Sequence, residues 1–357
     1  MLQRRFGHRV FCTLSALACT LGCSDVSLRT TTLSEENSNT VNSDAGVVSD
    51  TFFVQGTSLF DPCGSRVILR GVNEMVTFTY ESKDGSAYFG EIAKTGANSI
   101  RIYWLTSDTP DDLDRLLVNA EAQKLIPIIY VFNYPVGPTT VSMAADFWTR
   151  SDIVQVVQKH RQWLIIALRE KDLPTNPQLL SDWESSYDAA VKRLRQASIN
   201  VPLAIDAPQY GLDTSNLALR GSDRILADPR QNLLLNINAW WPNVTFDAIR
   251  NNISAVTNAA LPLLIGEFSA YAQQSPQCTS VAFDYTTLLQ VAQDTLTGWQ
   301  AWSWGDASNY PCGTLDMTHG GKFANLSGWG LDVAVTNTNS IRNTSEPSTF
   351  TPGKGCR

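Results

Sequence analysis

The sequence predicts an α/β fold, a single (β/α)8 (TIM) barrel, and three observations lead there. Short apolar runs rich in β-branched residues recur from Val54 onward, longer amphipathic stretches separate them, and the alternation repeats eight times. The runs are Val67–Asn73, Asn98–Trp104, Leu125–Phe132, Trp163–Glu170, Val201–Ala207, Asn232–Trp240, Leu261–Phe268 and Gly298–Trp304. Between them, Asp111–Ala122 and Asp182–Ala197 place apolar residues three and four apart, the spacing of one buried helix face. An open doubly wound sheet would need a ligand loop such as GxGxxG after a strand, and the sequence contains none.

Of 357 residues, about the last 300 fall to the barrel, a length that such folds reach as one domain. The net charge of -7 argues against nucleic acid or an anionic membrane surface as a partner. Ten Trp and ten Tyr fit either core packing or stacking platforms for a flat ligand such as a sugar.

The first 23 residues have the character of a targeting segment. Arg4, Arg5, His8 and Arg9 form a positive leader, and Val10–Gly22 is apolar but too short to span a bilayer. Thr20-Leu21-Gly22-Cys23 resembles the lipobox of bacterial lipoproteins, which implies acylation of Cys23, with ordinary secretion as the alternative. Residues 24–50 are rich in Ser, Thr and Asn and short of large apolar groups, so they read as a flexible tether to a domain covering 51–357. Four cysteines then remain in the exported domain, enough for two disulfides. Cys278 follows the seventh predicted strand and Cys312 the eighth, so neighbouring loops should pair them; Cys63 and Cys356 lie near the ends of the domain, which usually meet in a barrel. The absence of a CxxC pair and of EF-hand spacing around Asp111, Asp112 and Asp114 leads us to expect no metal and no cofactor.

Barrels of this kind place function at the carboxyl ends of their strands. Polar groups there are Asn73, Glu74, Arg101, Asn133, Arg169, Glu170, Asp206, Asn238 and Glu267, with Trp302 and Trp304 on the last strand. Glu170 and Glu267 end the fourth and seventh strands and would face each other across the mouth. Paired carboxylates are what glycosidic hydrolysis requires, and a retaining enzyme holds them about 5–5.5 Å apart.

The motifs add a family resemblance. Gly56–Asp61 with Leu69-Arg70-Gly71-Val72-Asn73, the Thr95–Ile102 run, Ile265-Gly266-Glu267-Phe268, Gly298–Trp304, and Leu315–Thr318 with Gly328-Trp329-Gly330 are together similar to glycoside hydrolase family 5, among its β-mannanase-like and cellulase-like members. The resemblance covers Phe53 to about Thr344. It implies Glu267 as nucleophile, Glu170 as acid/base, Arg101 as support for the nucleophile, and Arg169, Asn133, Asn238, Trp240, Trp302 and Trp304 at the sugar subsite.

Several of those positions depart from the family's pattern. Asparagine, histidine and a His-x-Tyr segment are replaced by Arg169, Asn133 and Asn238-Ala239-Trp240, and none of His8, His160 and His319 can fill the gaps. A guanidinium beside Glu170 would favour its ionised form, whereas a general acid needs a raised pKa. On this reading Arg169→Asn should raise turnover. The leading expectation is an exported, monomeric, retaining endo-β-glycosidase acting on a β-1,4-linked polysaccharide, mannan or glucan. The alternative is a non-catalytic carbohydrate-binding protein on the same barrel, since binding needs aromatic platforms but no tuned proton donor.

Overall fold

The computed structural model describes residues 48–76, 82–133, 140–169, 179–242, 244–274, 279–305 and 312–357, all within the unit Ser43–Arg357. Eight parallel strands close into a barrel: β1 Arg70–Glu74, β2 Ser99–Leu105, β3 Ile126–Phe132, β4 Ile165–Leu168, β5 Leu203–Asp206, β6 Leu233–Asn238, β7 Leu263–Phe268 and β8 Gly298–Ala301. Each pairs with its sequence neighbour, and β8 closes on β1. Every strand lies within a run expected from the sequence, apart from one-residue overhangs at Glu74 and Leu105. The expected helices appear as Pro110–Ala122 and Leu179–Gln196.

Alternation along the strands divides the apolar residues between two layers. On β2, Ile100, Ile102 and Trp104 face the helices, while Ser99, Arg101 and Tyr103 take the opposite face. Inside the barrel Tyr103 joins Ile126, Ile128, Tyr130, Ile165, Ala167, Ala204, Leu234 and Leu264 in a second cluster. The helix Pro110–Ala122 starts where the sequence tells it to. Thr109 caps it in a box with Asp112, and Pro110 sits in its first turn, where a missing N–H costs nothing.

The amino ends of the strands are closed by the first described segment. A three-stranded antiparallel sheet (Phe53–Gln55, Ser58–Phe60, Arg66–Val67) lies there. Asn232, just before β6, accepts from the backbone N–H of Val54 at 2.9 Å and donates to the carbonyl of Phe52 at 3.2 Å. Asp61 ties this segment to the carboxyl end of the chain, accepting from Ser348, Thr349 and Phe350. The expected Cys63–Cys356 disulfide is present, with a Cα–Cα distance of 5.6 Å. Cys312 is also disulfide-bonded, while its expected partner Cys278 lies outside the described residues. No helix among the described residues is long and apolar enough to cross a membrane.

His160 ends the helix Ser151–His160 on the outside of the barrel, far from a catalytic role. Its ring is buried between Glu121, 2.6 Å from Nδ1, and Asp114, 2.8 Å from Nε2. Burial lowers its pKa, but these two carboxylates outweigh burial and raise it above the ordinary value. The stabilisation is therefore fully present below the unfolded pKa of about 6.5 and is lost as pH rises through the higher folded value. Urea unfolding of wild type and His160→Gln should show the larger stability gap at pH 5.5 and a smaller one at pH 9; a gap that does not change with pH would refute the ion-paired histidine.

Candidate active site

At the carboxyl end of β7 the chain leaves strict alternation. Ile265 pairs with Ile237 on β6, but Glu267 pairs with Asn238, so two residues of β7 oppose one of β6. Leu264 points into the barrel, and regular alternation would send Glu267 outward. The bulge at Gly266 turns it back into the mouth. Glycine is needed there because a β-carbon would lie 2.4 Å from the Asn236 side-chain oxygen. Asn73, at the end of β1, fixes the bulge by donating to the Gly266 carbonyl at 2.8 Å, and its own oxygen accepts from Arg101 at 3.0 Å.

Four donors converge on the buried Glu267 carboxylate. Arg101 reaches Oε1 at 2.7 Å, the expected support. The Tyr103 hydroxyl donates to the same oxygen at 2.5 Å, and Arg169 Nη1 donates there as well. The Trp240 indole N–H takes Oε2 at 2.7 Å. Burial alone would raise the pKa of Glu267, but Arg169, Arg101 and the Tyr103 and Trp240 hydrogen bonds outweigh it and bring it down to about 2. Burial pushes the Tyr103 hydroxyl well above its usual range despite the guanidiniums beside it, so the phenol stays protonated and able to donate.

The tyrosine missing from the sixth strand is thus compensated. Tyr103 supplies a hydroxyl from β2, two residues after Arg101 and so on the same face, and Trp240 supplies an N–H from the end of β6. The i, i+2 spacing of Arg101 and Tyr103 was the signal in the sequence that could have found the first. Arg169 was expected to act on its neighbour Glu170, which lies outside the described residues. What the structure shows is its pairing with Glu267, an ion pair to Asp206 at 3.5 Å, and a place over the Tyr130 ring. The expected separation of the two glutamates likewise falls outside the described residues.

Other expected positions divide. Trp302 is half-buried beside Tyr103 and Trp240, at ring distances of 5.1 and 6.2 Å, and forms an aromatic wall next to Glu267. Trp304 is fully buried, its indole donating to the Gly321 carbonyl, which corrects the expectation that it offers a sugar platform. The strand ends at Ala301, so the two tryptophans no longer share a strand face. Asn238 is also fully buried, and its amide is spent on Asp206 and the Tyr210 carbonyl, so it supports the mouth from behind rather than facing a sugar. Gln209 and Tyr210 adopt left-handed backbone conformations (φ 55° and 63°), which bring that carbonyl to Asn238. Asn133 is half-buried at the rim and accepts from Thr106.

Comparison with known proteins finds relatives over most of the chain. The chain is 30% identical over 317 residues to the mannan endo-1,4-beta-mannosidase of Cellvibrio japonicus (strain Ueda107), covering 85% of this chain and 70% of that protein. The chain belongs to the β-mannanase-like branch of glycoside hydrolase family 5. It is accordingly a glycoside hydrolase. The mannan endo-1,4-beta-mannosidase of Salipaludibacillus agaradhaerens is 27% identical, with 85% of this chain and 97% of that protein covered. Among solved structures in this family, a β-mannanase from Streptomyces thermolilacinus with mannohexaose superposes with a TM-score of 0.72 at 28% identity, over 85% of this chain and 98% of that one. No family model matches the chain.

The clasp on Glu267 can be tested one donor at a time. Tyr103→Phe and Trp240→Phe keep a ring and remove a single donor to an ionised group, which should lower kcat on the order of 10- to 100-fold. Melting temperatures should change little. Wild-type turnover in both variants would show that these donors have no part in the reaction.

Proposed function

We propose that this chain is an endo-acting, retaining β-1,4-mannanase. One observation carries the proposal: Glu267 stands in the barrel mouth, beside the Trp302 wall, as a carboxylate held ionised near pKa 2. The relatives named as mannan endo-1,4-beta-mannosidases and the related β-mannanase solved with mannohexaose support mannan over glucan.

In this reading the two oxygens of Glu267 have different tasks. Oε1 receives Arg101, Tyr103 and Arg169 and is locked, whereas among the described residues Oε2 receives only the Trp240 N–H. Oε2 therefore attacks the anomeric carbon. A bond forms between that carbon and Oε2 while the bond to the leaving sugar oxygen breaks, and that oxygen takes a proton from Glu170. Water then attacks the same carbon, giving its proton to Glu170, and Glu267 departs as a carboxylate. Two displacements retain the β configuration. Donors fixed in a site that excludes water need little reorganisation as charge shifts through the transition state. Trp302 supplies the apolar face against which a sugar ring lies.

Reducing ends should be released from mannan by wild type, the first-formed anomer should be β by NMR, and Glu267→Gln should abolish release while retaining affinity for the polymer. Binding without release by the wild-type protein would instead establish the non-catalytic alternative, which the relatives do not favour.

For the rest of the chain we infer export through residues 1–23, a lipid on Cys23, a tether over 24–50 and a monomeric barrel. The basic leader, the short apolar core and the Leu21-Gly22-Cys23 sequence support this. Cys23→Ser should move the protein from the detergent phase to the aqueous phase when expressed in a bacterium. An aqueous wild type would mean simple secretion.

A further inference from the structure

Asp206 ends β5 and has no part in the reaction described above. It is nonetheless buried in the same charge cluster. Its Oδ1 accepts from Asn236 at 2.8 Å and its Oδ2 from Asn238 at 3.0 Å, and Arg169 Nε stands 3.5 Å from Oδ2. The last contact is an ion pair rather than a hydrogen bond. Arg169 thus lies between two carboxylates, its Nε side towards Asp206 and its Nη1 on Glu267. With Arg101 the group holds two cations and two anions, none with a side chain more than 12% exposed.

We propose that Asp206 is a positioning residue for the hydrolytic site, which orients the Arg169 guanidinium and balances its charge so that Glu267 is held by a neutral cluster rather than by a surplus cation. The proposal rests on Glu267 being the nucleophile.

The physical case follows from burial. Charges in a poorly solvated site act strongly on one another, and removing one partner leaves the other uncompensated. Without the Asp206 charge, two guanidiniums would share one carboxylate. Glu267 would then be stabilised further as an anion, and an over-stabilised carboxylate is a poorer nucleophile. Without Arg169, the groups left to compensate Asp206 among the described residues would be two amides and the more distant Arg101. The sequence-based expectation that Arg169→Asn raises turnover therefore reverses: alone it should lower turnover, and the companion change Asp206→Asn should relieve the loss.

Burial and neighbouring charges also shift the proton affinity of Asp206. Burial raises its pKa, Arg169 and Arg101 oppose the rise, and Glu267 adds to it, leaving it above the ordinary value. The groups facing it are Arg169 from beyond β4, Arg101 from β2, Glu267 from β7 and the neutral amides of Asn236 and Asn238 on β6, with the protonated Tyr130 phenol on β3 beyond. Glu267, at about 2, is already ionised where Asp206 gains its proton. Protonation of Asp206 should consequently appear as an acidic limb in kcat.

The test is a double-mutant cycle of wild type, Asp206→Asn, Arg169→Asn and the double variant, with kcat and KM on mannan from pH 4 to 9. Each single change should lower kcat on the order of tenfold with KM little altered, and the double variant should lose at least about fivefold less than the product of the two. Asp206→Asn should also lack the acidic limb of wild type. Independent losses that multiply, or an unchanged acidic limb in Asp206→Asn, would overturn the proposal. Thermal unfolding of the same four proteins reads the pairing without any activity: coupled melting temperatures are expected, and additive ones count against it. A wild type that binds mannan and releases nothing would sink the nucleophile reading instead, and the unfolding cycle alone would then judge the Asp206–Arg169 pair.

Discussion

A carboxylate almost cut off from water must be compensated by the protein around it, and the mouth of this barrel is arranged by that requirement. Glu267 is turned inward by a bulge whose glycine leaves room for the Asn236 amide, and once there it needs donors on both oxygens. They come from three other strands or strand ends, so Glu267 is also a junction between β2, β4 and β6. Asn73 joins β1 to the same junction through the bulge carbonyl and Arg101. A change in any of these strands is therefore felt at one atom pair.

The compensation has a second tier. Arg101 and Arg169 each bring a full charge into a site with little solvent, and Asp206 and the amides behind it answer the surplus. Tyr103 and Trp240 supply donors without charge. This mixture explains how a chain can exchange the family's neutral amide for a guanidinium and still keep its carboxylate in place.

Much of the fold was legible because it is periodic. All eight strands showed as apolar runs, since a strand covered on both faces must be apolar, and Arg101, Glu267 and Trp302 could be placed at their ends. What was missed concerns reach rather than position. Tyr103 lay in plain view two residues from Arg101, but no sequence pattern says that its hydroxyl crosses to β7. Trp240 was read as the loss of a tyrosine, because an indole N–H in a hydroxyl's place is a matter of ring geometry. Trp304 was assigned to the sugar because the run Gly298–Trp304 resembles the family's last strand, yet the strand stops at Ala301. Arg169 was read through its chain neighbour, whereas a long side chain at a barrel mouth is governed by what lies across the opening.

The Cys63–Cys356 bond joins the two ends of the folded domain at the pole away from the mouth, bridging a sequence separation of 293. Mechanically it is a shunt. Tension applied between chain ahead of Cys63 and chain after Cys356 runs through one covalent link and bypasses the hydrogen-bonded strands. Load carried between those two ends would thus leave the catalytic opening undeformed until that link is reduced.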